Sequence, residues 1–193
     1  MKVQSICAAI VMAILTPAAA SAESFTGPRV QVTAGWDQLR FDLARYGPGR
    51  DRESDLAWGV EAGYDVALGG NFVAGLQAGL STSNVGHAYS DATASHQLDA
   101  RRDYDLSARL GMRIGGNALL YGRAGYTNFR IGDESTIAGV TTAGATNLDG
   151  VLLGAGVEVA ITPAAYLTSE FRYSNYQDGI SRNQIRTGLG LRF

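Results

Sequence analysis

Residues 56–82 restrict this chain more than any other stretch. Every second residue from Leu56 is apolar and mostly large: Leu56, Trp58, Val60, Ala62, Tyr64, Val66, Leu68. Between them lie Ala57, Gly59, Glu61, Gly63, Asp65 and Ala67. After Gly69-Gly70-Asn71 the alternation resumes, with Phe72, Ala74, Leu76, Ala78 and Leu80 against Val73, Gly75, Gln77, Gly79 and Ser81. Period two is the signature of a strand, whose successive side chains leave opposite faces. The Gly-Gly-Asn break joins the two runs as a hairpin. The contents of the faces are unusual: one is bulky and apolar, the other is glycine punctuated by carboxylates. A soluble sandwich would bury the bulk and give the solvent face few glycines. Here the pattern implies a narrow polar interior and an apolar exterior, with Trp58, Val60 and Leu76 against lipid and Glu61 and Gln77 inside.

The N-terminus supplies a compartment. Met1-Lys2 is a positive start, residues 6–15 are an apolar run, and Ala20-Ser21-Ala22 is a small-residue cleavage site. Residues 1–22 therefore read as a secretory signal peptide, leaving residues 23–193 as one domain. The only cysteine, Cys7, lies in that leader, so the mature chain is expected to carry no disulfide and no thiolate. Basic and acidic residues number 16 and 18, a net charge of −2, and Lys2 leaves with the leader. A slightly acidic chain is a poor match for nucleic acid, which calls for a basic face. No later run of 18 apolar residues could form a membrane helix. Alternating strands escape that criterion, because each span of a barrel carries only a weak hydropathy signal.

The same alternation recurs along the chain. A first strand puts Val30, Val32, Ala34 and Trp36 on one face. After the first hairpin, Tyr104, Leu106, Ala108, Leu110, Met112 and Ile114 oppose Asp103, Asp105, Ser107, Arg109, Gly111 and Arg113. The fifth strand is assigned Leu120, Gly122, Ala124 and Tyr126 outward, which points Tyr121 and Arg123 inward. Residues 150–161, 167–174 and 185–193 provide three more strands, with Glu158, Glu170, Arg172, Arg186 and Arg192 on the inner phase. Short turns at Gly69-Gly70-Asn71, Gly115-Gly116-Asn117 and residues 162–165 alternate with polar connections at residues 41–55, 85–102, 132–147 and 177–183. Eight strands with this alternation of connections predict an all-β fold: an eight-stranded antiparallel up-and-down transmembrane β-barrel with a polar, salt-bridged lumen. Strands of about 11 residues tilted by about 40° rise roughly 28 Å, the thickness of a bilayer core.

Tyr121-Gly122-Arg123-Ala124-Gly125-Tyr126, Leu153-Gly154-Ala155-Gly156-Val157-Glu158, Glu170-Phe171-Arg172-Tyr173-Ser174-Asn175-Tyr176 and the terminal Thr187-Gly188-Leu189-Gly190-Leu191-Arg192-Phe193 carry a resemblance. The chain resembles the small outer-membrane barrel superfamily of Gram-negative bacteria, with its OmpA/OmpX-type barrels, opacity-type surface antigens and porin-family proteins. The resemblance implies the outer membrane as location and insertion by the barrel-assembly machinery, with the aromatic Phe193 as assembly signal. Leu191 departs from that signal, since an aromatic is often found there.

The inner phase gathers Asp37, Glu61, Asp65, Asp103, Asp105, Glu158 and Glu170 with Arg109, Arg113, Arg123, Arg172, Arg186 and Arg192. An eight-stranded barrel is just wide enough for side chains to fill it. Buried charges must pair or bear a desolvation cost of several kcal/mol each, so these residues are expected to form a structural ion-pair core. A gate or ion path is the alternative. The outward aromatics Trp36, Trp58, Tyr64, Tyr104, Tyr126, Tyr173 and Phe193 suit membrane-interface girdles. His87 and His96 share one connection without a metal-ligand spacing. No catalytic, cofactor or metal site is expected. Some barrels of this size modify lipid A with Ser and His at the outer rim, and Ser83, Ser90 and Ser95 lie near the two histidines, but no spacing fixes a triad. The expectation is a monomeric outer-membrane barrel with a structural or surface-interaction role, in contact with lipid and lipopolysaccharide. A host or phage surface is a candidate partner for its loops. A narrow pore for small solutes is the runner-up, and a lipid A-modifying enzyme the third reading.

Overall fold

A computed structural model describes residues 25–40, 52–83, 86–90, 94–137 and 140–193. The expected leader, residues 1–22, and most of the first long connection lie outside the described residues. The described chain is almost entirely strand: β1 (Gly27–Arg40), β2 (Arg52–Gly69), β3 (Phe72–Ser83), β4 (Gly86–Ser90), β5 (Ala94–Ile114), β6 (Ala118–Ile137), β7 (Val140–Ala160), β8 (Ala165–Tyr176) and β9 (Ser181–Arg192). β3 and β4 lie end to end along β5, so nine strands fill eight places. All pairings are antiparallel, and β1 pairs with β9 from Arg29↔Arg192 to Arg40↔Ser181, which closes the sheet on itself. The chain is an eight-stranded β-barrel. Closure pairs the backbone within the protein, which a hydrocarbon environment demands.

The alternation faces the way the sequence implies. Val60, Leu76 and Trp58 are 50%, 64% and 58% exposed, and the other large apolar groups of the outward phase follow them. Glu61 and Gln77 are buried. Contiguous apolar surface on this scale is not carried by soluble monomers and is what a lipid face requires. Tyr121 and Arg123 point inward, as the phase assigned to β6 requires.

Three of the long connections differ from the sequence expectation. Residues 132–147 are largely a hairpin rather than an irregular loop, with β6 and β7 paired in register from Ala118↔Val159 to Ile137↔Val140. Likewise β4 and the first part of β5 pair within residues 85–102. The alternation ends where lipid ends, because no face there needs to be apolar. The backbone ladder has no such requirement and continues. At about 3.3 Å per residue and a tilt near 40°, the long β5–β7 strands rise roughly 20 Å above the 12-residue β8 and β9. The fourth connection is shorter than expected: a single 3₁₀ turn at Gln177–Gly179, with β9 already under way at Ser181.

Inward glycines make room for inward charge. A Cβ at Gly75 would stand 1.9 Å from Asp65 Oδ1 and 2.8 Å from the Tyr64 carbonyl oxygen. Outward Gly122 meets nothing nearer than 3.9 Å. Gly75→Ala should therefore cost about 1–3 kcal/mol through overpacking, and Gly122→Ala less than about 0.5 kcal/mol. Urea unfolding of the two variants in lipid vesicles measures the difference. Equal midpoints would mean that the lumen has slack at β3.

Candidate functional site: the charged lumen and its two apolar seals

Among the described residues, seven arginines and seven carboxylates are buried in the lumen: Arg29, Arg109, Arg123, Arg172, Arg182, Arg186 and Arg192 with Asp37, Glu61, Asp65, Asp103, Asp105, Glu158 and Glu170. They fall into three tiers set by height along the strands. Nearest the short turns, Asp65 accepts from Arg29 Nε, Arg109 Nε and Arg192 Nη1, each at 2.9 Å. Glu158 accepts from Arg109 Nη1 at 2.9 Å and Arg192 Nη2 at 2.6 Å. At mid-height, Arg172 donates to Glu61 and Glu170, and Arg123 to Asp105 and Glu170. Tyr121 Oη donates to Glu170 at 2.7 Å. Gln77 joins the two tiers, donating to Glu61 at 2.6 Å and accepting from Arg29. Nearest the long connections, Arg182 forks onto Asp37 at 2.8 and 2.6 Å and reaches Asp103 at 2.7 Å.

Arginine fits this role for a geometric reason. Its planar fork presents five donors and serves two or three carboxylates at once. The lowest tier holds three arginines and two acids, the middle tier two and three, and the highest one and two. Arg186, 3.9 Å from Glu61 and 2.8 Å from Ser81 Oγ, completes the balance. The lumen as a whole is neutral, although no single tier is.

Twelve of the thirteen charged lumen residues expected from the sequence join this network. Arg113 does not. It is half-buried beside the short turns and donates from Nη2 to the Gly70 carbonyl oxygen at 2.5 Å. Two members are additional. Arg29 precedes the run that marks the first strand, but period two counted back from Gln31 reaches it. Arg182 lies in the polar segment read as a loop, on the same phase as Gln184 and Arg186. Phe193 is half-buried at the end of the closing seam, and its N–H donates to the Pro28 carbonyl oxygen at 2.9 Å. Along the hairpin, the backbone sets His87 opposite Leu98 and His96 opposite Tyr89. Ser83 faces the lumen and is buried.

The inner phase is also less polar at its ends than the alternation suggests. Phe25, Val73 and Leu119 pack together at the short-turn mouth, and Leu39, Phe129, Leu148, Tyr176 and Ile180 at the opposite one. Arginines bind the seals to the tiers: Arg182 sits 4.7 Å from the Phe129 ring and Arg192 6.0 Å from the Phe25 ring. Phe25 holds φ at 89°, a costly conformation for a bulky residue that is sustained by burial of its ring. A cavity of about 10 Å³ beside Phe25, Glu158, Tyr166 and Arg192 has room for about one water molecule.

Removing one partner from such a network leaves an uncompensated buried charge. Arg182→Met should lower unfolding stability by about 3–5 kcal/mol by stranding Asp37 and Asp103. Adding Asp37→Asn and Asp103→Asn should restore most of the loss. Urea titration of the single and triple variants checks both, and a triple variant as unstable as the single would show that packing rather than charge balance is at stake.

In sequence, the chain matches no curated protein significantly. In structure it is similar to neisserial surface protein A, with a TM-score of 0.59 at 16% identity over 89% of this chain and 100% of that one. It is also similar to Ail, the attachment invasion locus protein of Yersinia pestis, with a TM-score of 0.56 at 17% identity over 87% of this chain and 99% of that one. A second Ail crystal structure, in complex with the heparin analogue sucrose octasulfate, matches with a TM-score of 0.55 at 17% identity over 86% and 99%. At these identities the likeness is one of fold. Residues 5–193 match a family described as the outer membrane protein beta-barrel domain. The chain belongs to this outer-membrane β-barrel family.

Proposed function

We propose that this barrel is a non-catalytic surface-interaction protein, and that its protruding hairpin sheet is the part presented to a partner. One observation carries the reading. Over residues 140–149, β7 pairs with β6 on one side, whereas its pairing with β8 starts only at Gly150↔Tyr176. Among the described residues no strand pairs with the other side of that segment. An edge of this length offers a row of backbone donors and acceptors to any extended chain that reaches it. Protective devices on such edges are lysine, proline and inward charge. The segment VTTAGATNLD contains no lysine, arginine or proline, and its one charge is Asp149 at the base. The partner that fits is an extended segment of another protein, bound as an added strand.

Support also comes from the comparison with Ail, a barrel of the same fold that was crystallised with a heparin analogue. The lumen supports the non-catalytic part of the reading, since its acids and arginines are engaged with one another.

Trimming residues 133–144 to an Asn-Gly turn should leave the barrel folded, because Gly132 and Ala145 are already paired. It should abolish adhesion of cells displaying the protein to host cell layers. Full adhesion by the trimmed barrel would contradict the proposal. In planar bilayers the intact protein should give no stable conductance, since tiers of ion pairs lie between two apolar seals. Large stable channels would favour the pore reading instead.

A further inference from the structure

Inside the barrel, arginines are matched to carboxylates. On the outer face, among the described residues, the arginines Arg102 and Arg130 are not. Arg102 on β5 and Arg130 on β6 stand directly opposite each other in the ladder, both on the outward face. Like charges directly opposite on one face destabilise a sheet. Arg130 has no hydrogen bond or ion pair to any described residue, and the Arg102 guanidinium lies 5.0 Å from the Tyr104 ring centroid. The nearest outward carboxylate on β7, Asp149, already accepts from Asn128 Nδ2 at 2.7 Å and from Tyr126 Oη. Nothing within the described protein neutralises the pair.

Its height identifies what does. Tyr104 lies two residues below Arg102 and Tyr126 four below Arg130, and both rings are outward and exposed. Outward aromatics at strand ends mark the level of lipid headgroups. The two guanidiniums therefore stand where headgroup phosphates are concentrated, and their forks match phosphate oxygens bidentately. Tyr104 holds one of them in place through its ring face.

We propose that Arg102 and Arg130, with Tyr104 beneath, form a binding site for the phosphate of a lipid headgroup in the leaflet on the long-connection side. The site belongs to the barrel wall and is independent of any partner at the β7 edge.

Native mass spectrometry of the barrel, released from mixed micelles, tests this with bisphosphorylated lipid A, dephosphorylated lipid A and inorganic phosphate as probes. Wild type should retain the phosphorylated lipid and not the dephosphorylated one. Arg102→Gln/Arg130→Gln should weaken retention by about tenfold or more, from the loss of charge-assisted hydrogen bonds. Arg113→Gln, at the other end of the barrel, should leave it unchanged. Circular dichroism in phosphatidylcholine vesicles should show the double variant folded and at least as stable as wild type, since the repulsion is gone. Undiminished retention by the folded double variant would overturn the proposal. So would equal loss in Arg113→Gln, or competition by inorganic phosphate at millimolar concentration.

Discussion

In hydrocarbon, a backbone N–H or C=O must find its partner within the protein. The ladder between β1 and β9 meets that demand, and much of the structure follows from it. Once eight strands close, the bore is fixed at a width that side chains can fill. Little room for water remains there to solvate charge, so inward acids and arginines must neutralise one another, and glycines such as Gly75 must give them space. The apolar seals then complete the isolation. Phe25 closes one mouth and the Phe129–Tyr176 cluster the other, with ring centroids 5.7 Å apart.

The ion-pair network carries its specificity in its imbalance. Because no tier is neutral by itself, the tiers depend on bridging residues, among them Gln77 between Glu61 and Arg29 and Arg186 between Glu61 and Ser81. A slip of one strand by one residue would send its charges into lipid and its apolar groups into the lumen. The charges thus select one register, whatever their net contribution to stability. Buried ion pairs are better understood that way than as a gain over apolar packing, since desolvation consumes much of the Coulomb energy.

Much of this was legible in the sequence because lipid imposes a rule on side chains. Wherever a strand crosses the bilayer, its outward phase must be apolar, so β2, β3 and β5 declare themselves and even Tyr121 can be assigned inward. Beyond the bilayer the rule lapses. The β6–β7 hairpin above Gly132 is rich in alanine, threonine and glycine, and only the β-branched residues around Ala138-Gly139 hint at pairing. Arg182 was obscured in the same way, by a polar neighbourhood that looks like a loop until period two is counted back from Arg186. The seals were missed for a different reason: Leu119, Phe129 and Leu148 follow the inward phase, yet a polar lumen gives no cause to expect them there. The Arg102–Arg130 pair depends on strand register across a bulge at residues 100–102, which composition cannot supply.

The central claim is that the lumen is a filled, neutral and sealed interior. Thiol accessibility at Ser107 tests it most directly, since that residue lies at mid-height, is buried and accepts from Arg123 Nη2 at 2.8 Å. In a chain with Cys7 replaced by serine, Ser107→Cys should resist a small water-soluble thiol reagent while the barrel is folded in lipid vesicles, and react fully after unfolding. Rapid modification in the folded state would reveal a water-filled passage and contradict the account.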